Sequence, residues 1–263
     1  MKYSLPKERE TLISKKSVLV VLTVLIIGVL GLVILGCQDE TDLSTNTDNE
    51  NSNSISEQGD NTKNSERIVL PDPEESGDMS VEEAIASRRS VRTYQESALD
   101  LNELSQLLWA AQGITDESSN YRSAPSAGAT YPMEVYVIAG KVEELSEGIY
   151  KYNPKEHELR KIINEDITEN LMENALGQSQ ISEASLNIVV TAVYERVTGR
   201  YDERGIRYSK MEAGHISQNI YLQSTALGLG TVAIGAFDDD GVSELLQLDK
   251  GEDPMYIMPI GRQ

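Results

Sequence analysis

Hydrophobic and polar positions divide the chain into three stretches. Val18–Gly36 runs nineteen residues without a charge, long enough to cross a bilayer as a helix. Gln38–Gly77 is dominated by Asp, Glu, Asn, Ser and Thr. From Asp78 to Gln263 apolar residues recur with helical and strand periods, so this stretch is expected to hold the core. Ser80-Val81-Glu82-Glu83 has the spacing of a capping box and predicts a short helix through Ala84, Ile85 and Ala86. Asp100-Leu101-Asn102-Glu103 repeats that signal before Leu104, Leu107, Leu108 and Ala111, which share one helix face, with Gly113 as the stop. Met133–Ala139 predicts a strand, and Gly148–Tyr152 with Glu158–Ile162 a hairpin around Asn153-Pro154. Helix returns at Ile167–Ala175 and strand at Leu186–Val193. Tyr208–Leu227 predicts a long helix with Ala213, Ile216, Ile220, Leu222 and Leu227 inward. A strand at Thr231–Ala236, a helix at Val242–Leu246 and a strand at Met255–Ile260 complete the domain. Helices and strands of unequal length, without regular alternation, predict an α+β fold rather than a doubly wound parallel sheet.

The N-terminal stretch carries the expectation about location. Lys15 and Lys16 precede the apolar run, which ends in Ile34-Leu35-Gly36-Cys37. This ending resembles a bacterial-type lipobox, in which the cysteine is lipidated and becomes the new N-terminus. The other reading is an uncleaved helix with Cys37 as its last apolar residue. Either one tethers the protein to the cell membrane, and the flanking lysines place the remainder outside the cytoplasm. The acidic stretch cannot bury enough surface to offset its ordering entropy, and reads as a self-repelling tether. The expected organisation is therefore an anchor over 1–37, a linker over 38–77 and a catalytic or binding domain over 78–263.

Composition removes several function classes. With one cysteine and two histidines, His157 and His215, neither a disulfide framework nor a zinc finger can be built, and no metal site is expected. A formal charge of −20 without a basic patch disfavours nucleic acid. His215, mid-helix among apolar positions, reads as a core or interface histidine.

Three segments could carry chemistry. Arg88-Arg89-Ser90-Val91-Arg92-Thr93-Tyr94 gathers three guanidiniums and hydroxyl donors in an acidic domain, a plausible receptor for a phosphate. Basic residues also suit the last turn of a helix, so the macrodipole is an alternative reason for the cluster. The loop Arg122-Ser123-Ala124-Pro125-Ser126-Ala127-Gly128 ahead of the Met133 strand has side chains small enough for a planar ligand to approach the backbone, or is an ordinary turn. Gly228-Leu229-Gly230-Thr231-Val232-Ala233-Ile234-Gly235 follows a helix and enters a strand, the reverse of a dinucleotide fingerprint, so that reading fails.

Taken in order, RRSVRTY, PSAGATYP, EAGHISQN (Glu212–Asn219), ALGLGTVAIGAF and MPIGR resemble the FMN-dependent nitroreductase superfamily, and most closely its SagB-type branch of thiazoline/oxazoline dehydrogenases. The resemblance covers essentially all of 78–263. It implies an α+β nitroreductase-like fold with an antiparallel-rich mixed sheet flanked by helices, a homodimer with FMN at the interface, and hydride transfer through the flavin. By position, Arg88, Arg89, Ser90 and Arg92 resemble the binders of the FMN phosphate and flavin edge, with Arg262 as a late-chain helper. Pro125, Ser126, Ala127 and Gly128 resemble the loop lying against the isoalloxazine from the second subunit, and Ile234 with Gly235 the main chain facing flavin N5. Relatives that form azolines use a Lys-Tyr pair near the long helix. Here the matching dipeptide is Arg200-Tyr201; arginine stays protonated and cannot take the Lys role, which leaves Tyr201 as a candidate proton donor or acceptor or as a surface or interface tyrosine. An extracytoplasmic domain does not meet cytoplasmic NAD(P)H, so a membrane redox partner or an extracytoplasmic substrate is the expected electron source. The rival expectation is a tethered flavin- or ligand-binding lipoprotein without turnover.

Overall fold

The computed structural model describes residues 66–263, so Cys37 and the apolar run lie outside the described residues. Among the described residues no helix is long and apolar enough to cross a membrane. The elements, in chain order, are β1 (Arg67–Val69), α1 (Val81–Ser87), α2 (Leu101–Gln112), β2 (Ile114–Asp116), β3 (Tyr121–Arg122), β4 (Met133–Ala139) and β5 (Gly148–Asn153). These are followed by β6 (Glu158–Ile163), α3 (Thr168–Asn174), α4 (Gln180–Glu183), β7 (Leu186–Val193), α5 (Glu195–Tyr201) and α6 (Arg204–Ala226). The chain ends with β8 (Leu229–Thr231), α7 (Asp239–Leu245) and β9 (Glu252–Arg262).

Seven strands form one sheet in the order β1-β6-β5-β4-β7-β9-β8, and each neighbouring pair is antiparallel. Both faces of its centre are buried, as alternation along β4 and β7 shows. Met133, Val135 and Val137 join Leu186, Ile188 and Val190 in one apolar cluster, while Tyr136, Ile138 and Val189 join the other. Leu104, Leu107, Leu108 and Ala111 of α2, with Ala213, Ile216 and Ile220 of α6, cover the first face. Leu171 of α3, Ile181 of α4, and Val242 and Leu246 at α7 cover the second. Each such leucine or isoleucine contributes roughly 1.5–3 kcal/mol by leaving water, so the helices are held mainly by their apolar stripes. Both predicted capping boxes are present: Ser80 and Glu83, and Asp100 and Glu103, exchange side-chain and backbone bonds. The fold is the α+β, antiparallel-rich sheet flanked by helices that the sequence predicts.

The differences from expectation have local causes. The sheet starts at Arg67, inside the stretch expected to be linker, because Ile68-Val69-Leu70 breaks the polar tract. β1 pairs with β6, Leu70 is only 3 % exposed, and its N–H donates to the His157 carbonyl at 3.1 Å. Arg67–Leu70 thus joins the sheet from within the stretch expected to be linker. The strand expected at Thr231–Ala236 is split. β8 ends at Thr231, whose carbonyl accepts the Val91 N–H at 2.9 Å, and Ile234 exchanges backbone bonds with Ile257 beyond it. Side-chain Tyr221 takes the intervening Ala233 N–H. The long helix begins at Arg204, one turn earlier than expected, and Leu222 on it and Leu227 just past its end are only partly buried. His215 is exposed on this chain, not a core histidine.

Candidate functional site

The arginine cluster follows directly on α1, and its backbone is docked onto the sheet edge. Ser90 bridges Thr231 in parallel, and the Val91 N–H donates to Thr231. Gly230 permits this approach, since a Cβ there would lie 2.6 Å from Val91 Cγ1. Tyr94 pins the far end, its hydroxyl donating toward the carbonyls of Val91 (2.9 Å) and Pro259 (3.1 Å). Burial pushes that phenol well above its ordinary pKa, so it stays a neutral donor.

The three guanidiniums behave differently. Arg89 Nη1 donates to the carbonyls of Ala86 (3.0 Å) and Arg88 (2.7 Å), as the helix-end reading of the cluster foresees. Arg88 lies over the ring of Tyr221, its Cζ 5.0 Å from the centroid. Among the described residues neither these two nor Arg92 forms an ion pair, although the chain carries −20. Arg262 is placed otherwise. It makes a two-pronged pair with Glu103, Nη1–Oε1 at 2.9 Å and Nη2–Oε2 at 3.0 Å, which occupies the forked donors that a phosphate helper would use.

Tyr221, on α6, ties the cluster to the glycine-bearing segment and was not singled out from the sequence. Its hydroxyl accepts the Ala233 N–H at 2.8 Å and shares a hydrogen bond with Ser90 Oγ at 3.0 Å. The only sequence signal was its position beside Ile220, on the flank of the inward stripe. Ile234 is buried, while Gly235 is exposed and a Cβ there would meet nothing nearer than Tyr256 Cε1 at 3.5 Å. The chain's own packing thus leaves room for a side chain at Gly235, and its absence leaves the main chain bare. Arg88, Ser90 and the Ala233 backbone that leads into Ile234–Gly235 are consequently held around one Tyr221-centred junction, with Arg92 two residues beyond Ser90.

The loop before β4 makes a second group. Pro125 and Gly128 are exposed, and Ser126 and Ala127 half-buried. Gly128 has φ +61°, and a Cβ there would lie 2.6 Å from Tyr201 Oη and 2.8 Å from Arg200 Nη1. Arg200 Nη1 donates to the Gly128 carbonyl at 2.9 Å, and Tyr201 packs edge-on against Tyr208 at 5.2 Å. The Arg200-Tyr201 dipeptide is therefore seated on this loop. Among the described residues no hydrogen bond or ion pair joins the loop to the arginine cluster within one chain.

The polar residues of EAGHISQN hold the loop from below. Asn219 Nδ2 donates to the carbonyls of Ala110 (3.0 Å) and Ser123 (3.4 Å). Glu212 is 2 % exposed, and its Oε1 has no hydrogen-bond partner. Burial raises its pKa from 4.5 to about 7, against the opposing pull of the Ser126 and Gln112 side chains and the Arg122 charge. Arg122 in turn donates to Gln112 Oε1 at 3.1 Å and lies over Tyr131. This carboxyl was legible as an acid in the core-facing row Glu212, Ile216, Ile220. A cavity of about 620 Å³ opens where Trp109, Asn219, Leu222 and the 72–81 segment meet. Among the described residues no group of His, Cys, Asp or Glu is arranged to hold a metal ion.

Comparison with known proteins gives one consistent answer. Residues 85–262 match the Nitroreductase family. The chain is 46 % identical over 196 residues, covering 74 % of this chain and 96 % of the other, to a protein of Methanocaldococcus jannaschii named "Putative nitroreductase MJ1384". It is 26 % identical over 161 residues, 59 % of each chain, to the microcin B17-processing protein McbC of Escherichia coli. The crystal structure of "a putative nitroreductase" from Ralstonia eutropha superposes with a TM-score of 0.67 at 29 % identity, covering 74 % of this chain and 89 % of that one.

Proposed function

This chain belongs to the nitroreductase family, in its SagB-type branch, and from that membership we propose that it is an FMN-dependent oxidoreductase. The observation that carries the cofactor is the arginine cluster: three guanidiniums within five residues, without carboxylate partners, in a chain of −20. A cluster of guanidiniums that no carboxylate of the fold neutralises is suited to an anion such as the FMN phosphate. The bare backbone at Gly235 supports the same reading, because a flat ring must approach the main chain closely.

When bound, FMN supplies hydride transfer. The chain supplies the rest. Arg88 and Arg92 would hold its anionic end, Ser90 would offer a hydroxyl at the junction, and the bare main chain at Gly235 leaves room for its ring. Pro125, Ser126, Ala127 and Gly128 project from a loop that makes no polar contact with the cluster of its own chain. This arrangement supports a homodimer in which one protomer's loop completes the cofactor site of the other. Tyr201, seated against Gly128, is the proton donor or acceptor for a small-molecule or peptide-derived substrate. The apolar run and Cys37 tether the enzyme at the membrane, with the domain extracytoplasmic and its electrons drawn from a membrane partner or from the substrate itself.

The test is the visible spectrum of purified protein with FMN, followed by anaerobic addition of NADH, NADPH or a reduced quinone. A bound flavin that bleaches with one donor is the expected result. Absence of any flavin uptake overturns the proposal.

A further inference from the structure

Counting protons at Tyr221 gives its junction a direction. The Ala233 N–H can only donate, so Tyr221 Oη accepts it. The remaining bond, between Tyr221 Oη and Ser90 Oγ, can run either way. Among the described residues neither hydroxyl has another partner. If Ser90 donated, the proton left over would be that of a half-buried phenol. If Tyr221 donates, the one left over belongs to Ser90, which is exposed and can give it to solvent or ligand. An idle donor is less costly where water or a ligand reaches it. The phenol is also the more acidic hydroxyl, and Arg88 over its ring favours its polarisation in the same sense.

We propose that Tyr221 is a positioning residue that fixes Ser90 as an outward-pointing hydrogen-bond donor, matched to an acceptor oxygen on the bound cofactor. This inference rests on the FMN reading and adds to it a residue and a polarity. The groups gathered at Tyr221 are then both donors: the Arg88 guanidinium and the Ser90 hydroxyl. Such a set recognises a phosphate oxygen or a ring carbonyl oxygen.

Apoprotein titrated with FMN and with riboflavin, read by quenching of flavin fluorescence, separates the possibilities. Tyr221→Phe and Ser90→Ala are each expected to weaken FMN binding about tenfold, the scale of one hydrogen bond to a charged acceptor. Because both act through one bond, the double variant should be no weaker than either single variant by more than about twofold. Tyr221→Phe also strips Ala233 of its acceptor, so the Ser90 series gives an independent reading. Ser90→Val must lose the affinity and Ser90→Thr, which keeps the hydroxyl, must retain it. Riboflavin affinity unchanged by the variants assigns the acceptor to the phosphate, and an equal loss assigns it to the ring. Variants that bind FMN like the wild type, or losses that multiply to about a hundredfold in the double variant, overturn the inference. Failure of the FMN reading looks different, since the wild type itself would then take up no flavin.

Discussion

Replacing Glu212 with Gln should change how stability responds to pH. The carboxyl is 2 % exposed, and its pKa is raised to about 7 from 4.5, chiefly by burial. Below pH 4.5 the group is neutral in both folded and unfolded chains. Between pH 4.5 and pH 7 the unfolded chain loses its proton while the folded one keeps it, so stability falls with rising pH. Above pH 7 both are ionised and the loss is complete. Across that window the loss is about 3 kcal/mol. A Gln side chain has nearly the same shape and stays neutral, so Glu212→Gln should lack this decline and be the more stable protein at pH 8. Urea unfolding at pH 5, 6, 7 and 8 for both proteins measures the difference. His157, whose pKa burial lowers, titrates near this window with the opposite slope, but it is common to both proteins and drops out of the difference. Parallel pH curves for the two proteins would show that Glu212 is ionised in the fold at neutral pH, and the reasoning from its buried, unpartnered oxygen would be refuted.

Other perturbations probe other parts of the argument. Arg88→Ala with Arg92→Ala should weaken FMN affinity strongly while leaving the thermal midpoint near that of the wild type, because neither residue makes an ion pair in the fold; unchanged affinity removes the anion site. Gly128→Ala should lower stability by about 1–2 kcal/mol, since φ +61° is disfavoured with a Cβ and the added atom meets Tyr201 Oη; urea unfolding with no change would contradict that conformation. Asp100→Ala removes the cap of α2 and should cost about 1 kcal/mol, read as a lowered thermal midpoint.

Local signals made most of the fold legible. Capping boxes at Ser80 and Asp100 depend on side chains three residues apart, and the β4 and β7 segments are apolar runs buried on both faces. What was missed depends on contacts distant in sequence. Three apolar residues in an acidic tract, Ile68 to Leu70, look like noise until β6 supplies a partner. The break after Thr231 looks like continuous strand until Ser90 and Val91 arrive to compete for its backbone.

The same division runs through the site. Residue types that announce chemistry, the arginines and the small-residue loop, were visible because an acidic chain makes a basic cluster conspicuous. Arg262 had the right type and the wrong surroundings: Glu103, far away in sequence, takes up its donors. Tyr221 had the reverse problem, an ordinary aromatic on a helix flank whose importance comes wholly from meeting Ser90 and Ala233 in space. A residue's chemistry can be read from its type, but whether that chemistry is free to act depends on what the fold has already given it to hold. In this domain that distinction separates Arg88 and Arg92, which the fold leaves without a carboxylate, from Arg262, which it does not.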